Sequence, residues 1–230
     1  MKKIGILLSG NGVYDGSEIQ ETVFSLLAVN ENEGGVLFMA PNVNQMHVVN
    51  HLTGEEMNET RNVLFESARI ARGDIEDLIN VSESDIDALI IPGGFGTAKN
   101  HTNWAVKGAE SEINEEVKRL IIEMVEKQKP IVALCMGPTT VAKALEGTGI
   151  KAKLTVGTNE EKSPYDIEAI SEGIKSVGMR VDMKSIHELS VDNEAKIICA
   201  PCYMMEASVV EVRNNIKAAV DELFKMMNLG

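Results

Sequence analysis

The sequence predicts an α/β fold in which helices cover both faces of a doubly wound, mostly parallel sheet. Wholly apolar runs such as Ile4–Leu8 and Ala88–Ile91 are typical of strands buried on both faces. Segments of helical period separate these runs, and glycine-rich loops follow several of them. Strands that alternate with helices in this way specify a parallel sheet. Ligands of such sheets bind beyond the carboxyl ends of the strands, so the site is expected there.

Composition indicates one domain, residues 1–230, that acts on small molecules. The 230 residues are 44% hydrophobic and 25% charged, and no break in composition divides them. The net charge of −13 would repel nucleic acid and the surface of an anionic membrane. We therefore expect neither nucleic acid nor a membrane as a partner, which leaves small neutral or polar substrates.

The amino terminus and the cysteines favour a cytoplasmic protein. Lys2 and Lys3 resemble the start of a signal peptide, but the polar loop at Ser9 ends the apolar run too early. No apolar run is long enough to span a bilayer. The three cysteines are an odd number in a mid-sized chain, which favours reduced thiols.

The first half of the chain predicts strands and helices in alternation. After the strand Ile4–Leu8, a helix is expected to begin at Ser17, because Ser17 and Gln20 have the spacing of a capping box. The core stripe of this helix is predicted to be Ile19, Val23, Leu26 and Leu27. The further elements are a strand at 36–40, a loop with short structure at 42–57, a helix at 58–71, the strand 88–91 and a helix at 112–127.

The second half continues the pattern from a strand that runs into Cys135. Gly137 permits a tight turn after that strand, and Pro138 suits the first turn of the helix that follows. The later elements are a short strand at 154–156, a helix from Pro164 to Gly178, a hairpin of 189–191 with 196–199, and a final helix at 206–227.

Cys135 is the candidate nucleophile because it lies between a buried strand and a helix. The free N–H groups at the start of a helix favour a thiolate over a thiol. A buried cysteine can also be a small core residue, so position alone does not decide between the two interpretations.

Six runs distributed over nearly the whole chain carry a family pattern: Ser9–Glu21, Asn50–Glu55, Thr60–Leu64, Pro92–Gly96, Ala98–Asn100 and Pro130–Thr140. Together and in this order they resemble the ElbB-type (enhancing lycopene biosynthesis) proteins of the ThiJ/PfpI and class I glutamine amidotransferase-like superfamily. The resemblance implies a flavodoxin-like sheet and, as the usual assembly, a homodimer. It also implies a reactive cysteine at the elbow, the sharp turn at Cys135 between the strand and the helix.

The resemblance also implies roles for residues around Cys135. It selects Glu21 as the carboxyl beside the thiol, with Glu18 as its substitute. A buried carboxyl tends to stay protonated and to donate a hydrogen bond to a thiolate. The residues expected to bind the carbonyl oxygen or the substrate, chiefly through backbone N–H groups, are Gly93, Gly94, Phe95 and Met136.

The chain departs from the superfamily at two places. Met136 stands where many members carry a histidine, and Pro201–Glu206 contains no histidine for the later His-x-Glu pair of glutamine amidotransferases. A Cys-His-Glu triad is therefore not expected. The candidates for supporting roles are His51, Asn100 and His101. Cys199-x-x-Cys202 has the spacing of a redox dithiol, but it closes a late strand, which disfavours that role.

The resemblance implies a glyoxalase activity that converts glyoxal to glycolate without glutathione. We expect Cys135 as nucleophile, Glu21 as proton carrier, a small aldehyde or carbonyl as substrate, and neither cofactor nor metal. The alternative is a binding or stress-sensing protein whose exposed thiol oxidises, because the histidine that would assist Cys135 is missing.

Overall fold

The computed structural model describes residues 1–228, which form a seven-stranded sheet, a two-stranded sheet and the helices that cover them. The strands are β1 Lys3–Leu7, β2 Gly35–Ala40, β3 Glu76–Asp77, β4 Ala88–Ile91, β5 Ile131–Leu134, β6 Lys153–Leu154, β7 Arg180–Val181, β8 Ser190–Asp192 and β9 Ile197–Ala200. The α-helices are α1 Ile19–Glu31, α2 Val63–Ile70, α3 Trp104–Lys107, α4 Glu115–Glu126, α5 Gly137–Leu145, α6 Ile167–Ser176 and α7 Val209–Asn228. A π-helical segment, Thr97–His101, precedes α3.

Seven strands form the main sheet in the order β3-β2-β1-β4-β5-β9-β8, and β6 pairs with β7 separately. All neighbours in the main sheet are parallel except β8, which runs antiparallel to β9 as the predicted hairpin. Helix α1 packs beside α7, and α4 packs beside α5. The predicted doubly wound α/β fold is confirmed. The carboxyl ends of β1, β4 and β5, three adjacent strands, lead into the loops that carry the candidate site residues.

The predicted start and core stripe of α1 are both wrong. The helix is capped by Glu18, whose carboxylate accepts the Glu21 N–H at 2.6 Å. The Ser17 hydroxyl instead accepts the Ser9 N–H at 2.8 Å. Within the predicted stripe Leu26 is half-buried, and the other three residues are exposed: Ile19, Val23 and Leu27.

The buried face of α1 is made of small and polar residues together with Glu21. Thr22 and Ser25 donate their hydroxyls to backbone carbonyls one turn earlier, at 2.8 and 2.7 Å, so their burial leaves no donor unpaired. Ala28 and Val29 complete this face. Small side chains allow α1 to approach its neighbours closely, and the close approach carries Glu21 into the interior.

Two other predicted helices begin later than expected because asparagines cap them. Asn62 accepts the Phe65 N–H at 3.2 Å, so α2 begins at Val63 rather than at residue 58. Asn114 accepts the N–H groups of Glu116 and Val117, so α4 begins at residue 115 rather than 112. Among the helices of residues 1–228, none combines the length and the apolar character needed to cross a bilayer.

The orientation of α1 predicts a contrast between two valines of the same helix. Val29 is fully buried and Val23 is 44% exposed. Val29→Ala should lower the free energy of unfolding by about 2 kcal/mol, because it removes buried methyl groups and leaves a cavity. Val23→Ala, the matched control, should change it by less than about 0.5 kcal/mol. Urea unfolding measures both, and equal losses would contradict the assigned orientation.

Candidate active site at the Cys135 elbow

Cys135 occupies a strained turn between β5 and α5. Its φ of +54° lies in the left-handed region, which residues other than glycine rarely adopt. Its N–H donates to the Ala200 carbonyl at 3.0 Å and so fixes the turn to the neighbouring strand. The side chain is left 5% exposed. Strain of this kind persists only where the surrounding structure enforces it, and it is common at active sites.

Gly93 allows the carboxyl of Glu21 and the thiol of Cys135 to approach the same point of the backbone. A Cβ at Gly93 would lie 2.3 Å from the Cys135 Cβ and 2.8 Å from both the Cys135 Sγ and the Glu21 Oε2. The Gly93 N–H donates to Glu21 Oε2 at 2.8 Å. A side chain at this position would separate the carboxyl from the thiol, so glycine is required here.

Glu21 is fully buried, and its environment favours the protonated form. Burial, followed by the negative charge of Glu18, raises the pKa of Glu21 to about 8. Its second oxygen, Oε1, has no hydrogen-bond partner within residues 1–228. A carboxyl with one oxygen bonded to Gly93 and a second without a partner fits the protonated form, which keeps an acidic proton close to Cys135.

The Cys135 thiol is not activated in the way that its position in the sequence predicts. Burial, and then the negative charge of Glu21, raises the pKa of Cys135 well above its usual range. The N–H groups of Gly94 and Met136 face the thiol and act in the opposite direction, but the pKa remains raised. The expected effect of the helix terminus is therefore present and is outweighed by the loss of solvation.

The same two N–H groups are the candidate oxyanion donors, and Phe95 is not one of them. The Phe95 N–H donates to the Val13 carbonyl at 2.7 Å, so the predicted role of this amide is wrong. The Phe95 side chain lies beside the cleft instead, with its ring centroid 5.9 Å from that of Tyr165. Gly94, with φ of +93°, fits against the carbonyl of Gly16, which a Cβ would approach to 2.4 Å.

Glu18 caps α1 and lines the mouth of the cleft. The N–H groups at the start of the helix oppose the effect of burial, but burial prevails and raises the pKa of Glu18. Because its carboxylate is bonded to the Glu21 N–H, its role is to cap α1 and to place a negative charge near Glu21.

Asn100 and His51 form hydrogen bonds with the Ser9–Gly16 loop and do not support the Cys135 thiol directly. Asn100 donates to the carbonyls of Ser9 and Asp15 at 2.7 and 2.8 Å. His51 accepts the Tyr14 N–H at 3.2 Å, and its ring lies 4.9 Å from the Tyr14 ring. These residues position the loop that forms one wall of the cleft.

His101 is buried and cannot serve as the base for Cys135. Its Nε2 is 3.0 Å from the Leu8 carbonyl. Burial lowers the pKa of His101 to about 4, so the ring is neutral at physiological pH. No histidine is among the groups that perturb Cys135 in the described part of the chain.

A cleft of about 410 Å³ lies beside the elbow and includes residues that the sequence did not reveal. Glu18, Tyr165 and Tyr203 line it. Burial raises the pKa of Tyr165 to about 12, with the charges of Cys135 and Glu21 adding to the shift, so its hydroxyl stays a donor. The sequence predicts Tyr165 in the first turn of a helix that begins at Pro164, but α6 begins at Ile167 and Tyr165 lies in the loop before it.

A model of the family "Glutamine amidotransferase class-I" matches residues 58–219, which is more than half of the chain. The chain belongs to the class I glutamine amidotransferase family. A human relative, "Glutamine amidotransferase-like class 1 domain-containing protein 3, mitochondrial", is 40% identical over 228 residues, covering 97% of this chain and 83% of its own length. The predicted family resemblance is confirmed.

Solved structures support the same assignment for this class I amidotransferase relative. A crystal structure from Ehrlichia chaffeensis, described as an isoprenoid biosynthesis protein with an amidotransferase-like domain, has a TM-score of 0.86 and 31% identity, covering 97% of this chain and 99% of that one. A ThiJ/PfpI domain protein from Brachyspira murdochii has a TM-score of 0.55 at 12% identity, covering 97% and 96%, and shows the shared fold alone.

The expected cytoplasmic location is wrong. Three curated relatives of this amidotransferase family member, from human, rat and zebrafish, are named mitochondrial proteins. The expectation depended on the absence of an export signal and on the reduced cysteines, and neither feature distinguishes the cytoplasm from the mitochondrial interior.

The raised pKa of Glu21 predicts how the stability of the protein changes with pH. Between the ordinary pKa of 4.5 and the folded value of about 8, the folded state holds more protons at Glu21 than the unfolded state. Raising the pH through this window therefore destabilises the folded protein. Glu21→Gln removes this titration, so the variant should gain stability relative to the wild type by about 1.4 kcal/mol per pH unit.

Urea unfolding of both proteins at several pH values between 5 and 8 measures this difference. The expected result is a gap that widens in favour of the variant as the pH rises. Parallel stability curves would show that Glu21 is ionised in the folded protein and would remove the protonated carboxyl from the site.

Proposed function

We propose that the protein is a cofactor-independent, glyoxalase-like enzyme that converts small reactive carbonyls such as glyoxal to hydroxy acids. The observation that carries the proposal is the meeting of the Cys135 thiol and the Glu21 carboxyl at Gly93. A nucleophile, a proton carrier and two N–H donors then lie together, near a cleft that Glu18 and Tyr165 line.

The first step is addition of sulfur to an aldehyde carbon. In the form of the site that holds one proton between Cys135 and Glu21, the sulfur attacks and the proton moves to the carbonyl oxygen. The N–H groups of Gly94 and Met136 stabilise the negative charge that develops on this oxygen. The product is a hemithioacetal, and Glu21 is left as a carboxylate.

Glu21 then carries a proton between the two carbons of the bound substrate. It takes the proton from the carbon bonded to sulfur and returns it to the second carbon, while the hydroxyl proton moves from the first oxygen to the second. An enediol-like state thus becomes a thioester. A pKa of about 8 suits this exchange, because a group that titrates near the working pH can both accept and donate.

Water then hydrolyses the thioester, releasing glycolate and restoring the Cys135 thiol. Because no histidine of residues 1–228 is placed to act as the base, activation of this water falls to the Glu21 carboxylate, while the Tyr165 hydroxyl at the cleft can donate a hydrogen bond. The absence of a histidine base also argues against hydrolysis of glutamine, because that reaction requires protonation of a leaving amine.

Turnover of glyoxal without glutathione tests the proposed activity. Purified protein should release glycolate, and Cys135→Ser should reduce the rate by at least about 100-fold, because a serine hydroxyl is far less ionised than a thiol. Cys199→Ser is the matched control, since Cys199 is fully buried in β9 away from the elbow, and it should retain the rate. A covalent adduct on Cys135 without release of glycolate would refute catalysis and support a carbonyl trap.

The pH profile tests the role given to Glu21. Because the fully protonated site is inactive, kcat/KM should rise about tenfold per pH unit up to about pH 8 and then level off. Glu21→Gln should abolish this dependence along with most of the rate.

Glu18→Gln provides the sharper control for that profile. The charge of Glu18 raises the pKa of Glu21, so its removal should shift the rising limb to lower pH while turnover continues. The titration would belong to another group if the rising part of the kcat/KM profile did not move in Glu18→Gln. The same conclusion would follow if the rise persisted in Glu21→Gln.

A further inference from the structure

Cys135 and Cys202 lie at the carboxyl ends of two adjacent parallel strands. In the register of β5 and β9, Leu134 is opposite Ala200, and the Cys135 N–H donates to the Ala200 carbonyl. Cys202 is therefore offset from Cys135 by a single residue. Paired strands lie about 4.8 Å apart. The pairing extends to the Cys135 N–H, so the two cysteines follow the ends of adjacent, hydrogen-bonded strands.

The surroundings of Cys202 place its thiol at the elbow. Glu21 and Cys135 are among the groups that act on the Cys202 thiol, and the Cys135 N–H faces it. Cys202 has a φ of +49°, so both cysteines sit at sharp left-handed turns that follow their strands. Glu21 acts on both thiols, so the two side chains share part of their surroundings.

Cys199, the other member of the C-x-x-C run, faces a different part of the molecule. The backbone of Thr155 faces its thiol, and the nearby charges are those of Asp192 and Asp182. The groups that act on Cys202 are instead Glu21, Cys135 and Glu18. The spacing in the sequence therefore pairs two cysteines that the fold separates, while the fold pairs Cys202 with Cys135.

We propose that Cys135 and Cys202 form a peroxide-reactive pair in which Cys202 is the resolving thiol. The Cys135 sulfur attacks the outer oxygen of a hydroperoxide, the O–O bond breaks, and the products are a sulfenic acid and an alcohol or water. The Cys202 sulfur then attacks the sulfenic sulfur, and water leaves as the disulfide forms. The peroxide is reduced by two electrons, and the two thiols lose two electrons and two protons.

Accessibility sets the order of the two steps. Cys135 is 5% exposed and Cys202 is fully buried, so a small hydroperoxide from solvent reaches Cys135 first. Glu21 lies beside the attacking sulfur and can give a proton to the departing oxygen. The inference shares its nucleophile with the proposed carbonyl chemistry but does not require turnover of glyoxal.

Peptide mapping by mass spectrometry under non-reducing conditions tests the pair directly. Wild-type protein treated with one equivalent of hydrogen peroxide should yield the peptide of Cys135 linked to that of Cys202. Cys199→Ser, the matched control, should yield the same linked peptide. Cys202→Ser should lose it, and a second equivalent of hydrogen peroxide should then carry Cys135 from the sulfenic to the sulfinic acid, because no thiol is available to capture the sulfenic acid.

A second substitution, Cys202→Ala, guards against misfolding and should behave as Cys202→Ser does while retaining the circular dichroism spectrum of the wild type. A link between Cys199 and Cys202 in the wild type would overturn the proposal. So would a sulfinic Cys135 in the wild type with no linked peptide. These readouts report thiol states without glyoxal, so they are independent of whether the protein is a glyoxalase.

Discussion

The hydrogen bond from the Gly93 amide to the buried carboxyl of Glu21 is the contact on which the site depends. It joins the loop after β4 to helix α1 directly below the Cys135 elbow. A carboxyl there loses most of its hydration, so it keeps a proton unless a neighbouring group compensates. The Gly93 amide makes the largest of the hydrogen-bond contributions that offset this cost, and burial still raises the pKa of Glu21 to about 8.

This contact also explains why α1 buries small and polar side chains and exposes large apolar ones. To bring Glu21 inward, α1 turns a face of small and hydroxyl-bearing residues toward the protein and leaves Ile19, Val23 and Leu27 exposed. The hydroxyls of Thr22 and Ser25 bond within the helix, so burial of this polar face carries little penalty. The placement of one functional carboxyl has thus overridden the usual preference for burying the largest apolar side chains.

Burial governs the chemistry of the elbow more strongly than the backbone dipoles do. The N–H groups of Gly94 and Met136 favour a negative charge, yet the pKa of Cys135 stays raised because almost no solvent reaches it. Both the Glu21 carboxyl and the Cys135 thiol are therefore held toward their protonated forms. The same enclosure brings Cys202 next to Cys135 and leaves no histidine among the groups that act on the thiol in residues 1–228.

The sequence by itself determined the longer strands and helices, their order and the turn at Cys135, because apolar runs, helical period and glycine are local signals. It did not reveal the short elements β3, β7 and α3. It did not determine which face of α1 is buried, or that the Phe95 N–H donates to the Val13 carbonyl. Nor did it determine that His101 is hydrogen-bonded to the Leu8 carbonyl, or that Cys135 acts on the Cys202 thiol. Those features are decided by tertiary structure, because each depends on atoms brought together from distant positions. The amide that holds Glu21 is 72 residues away along the chain, and no local pattern can encode that contact.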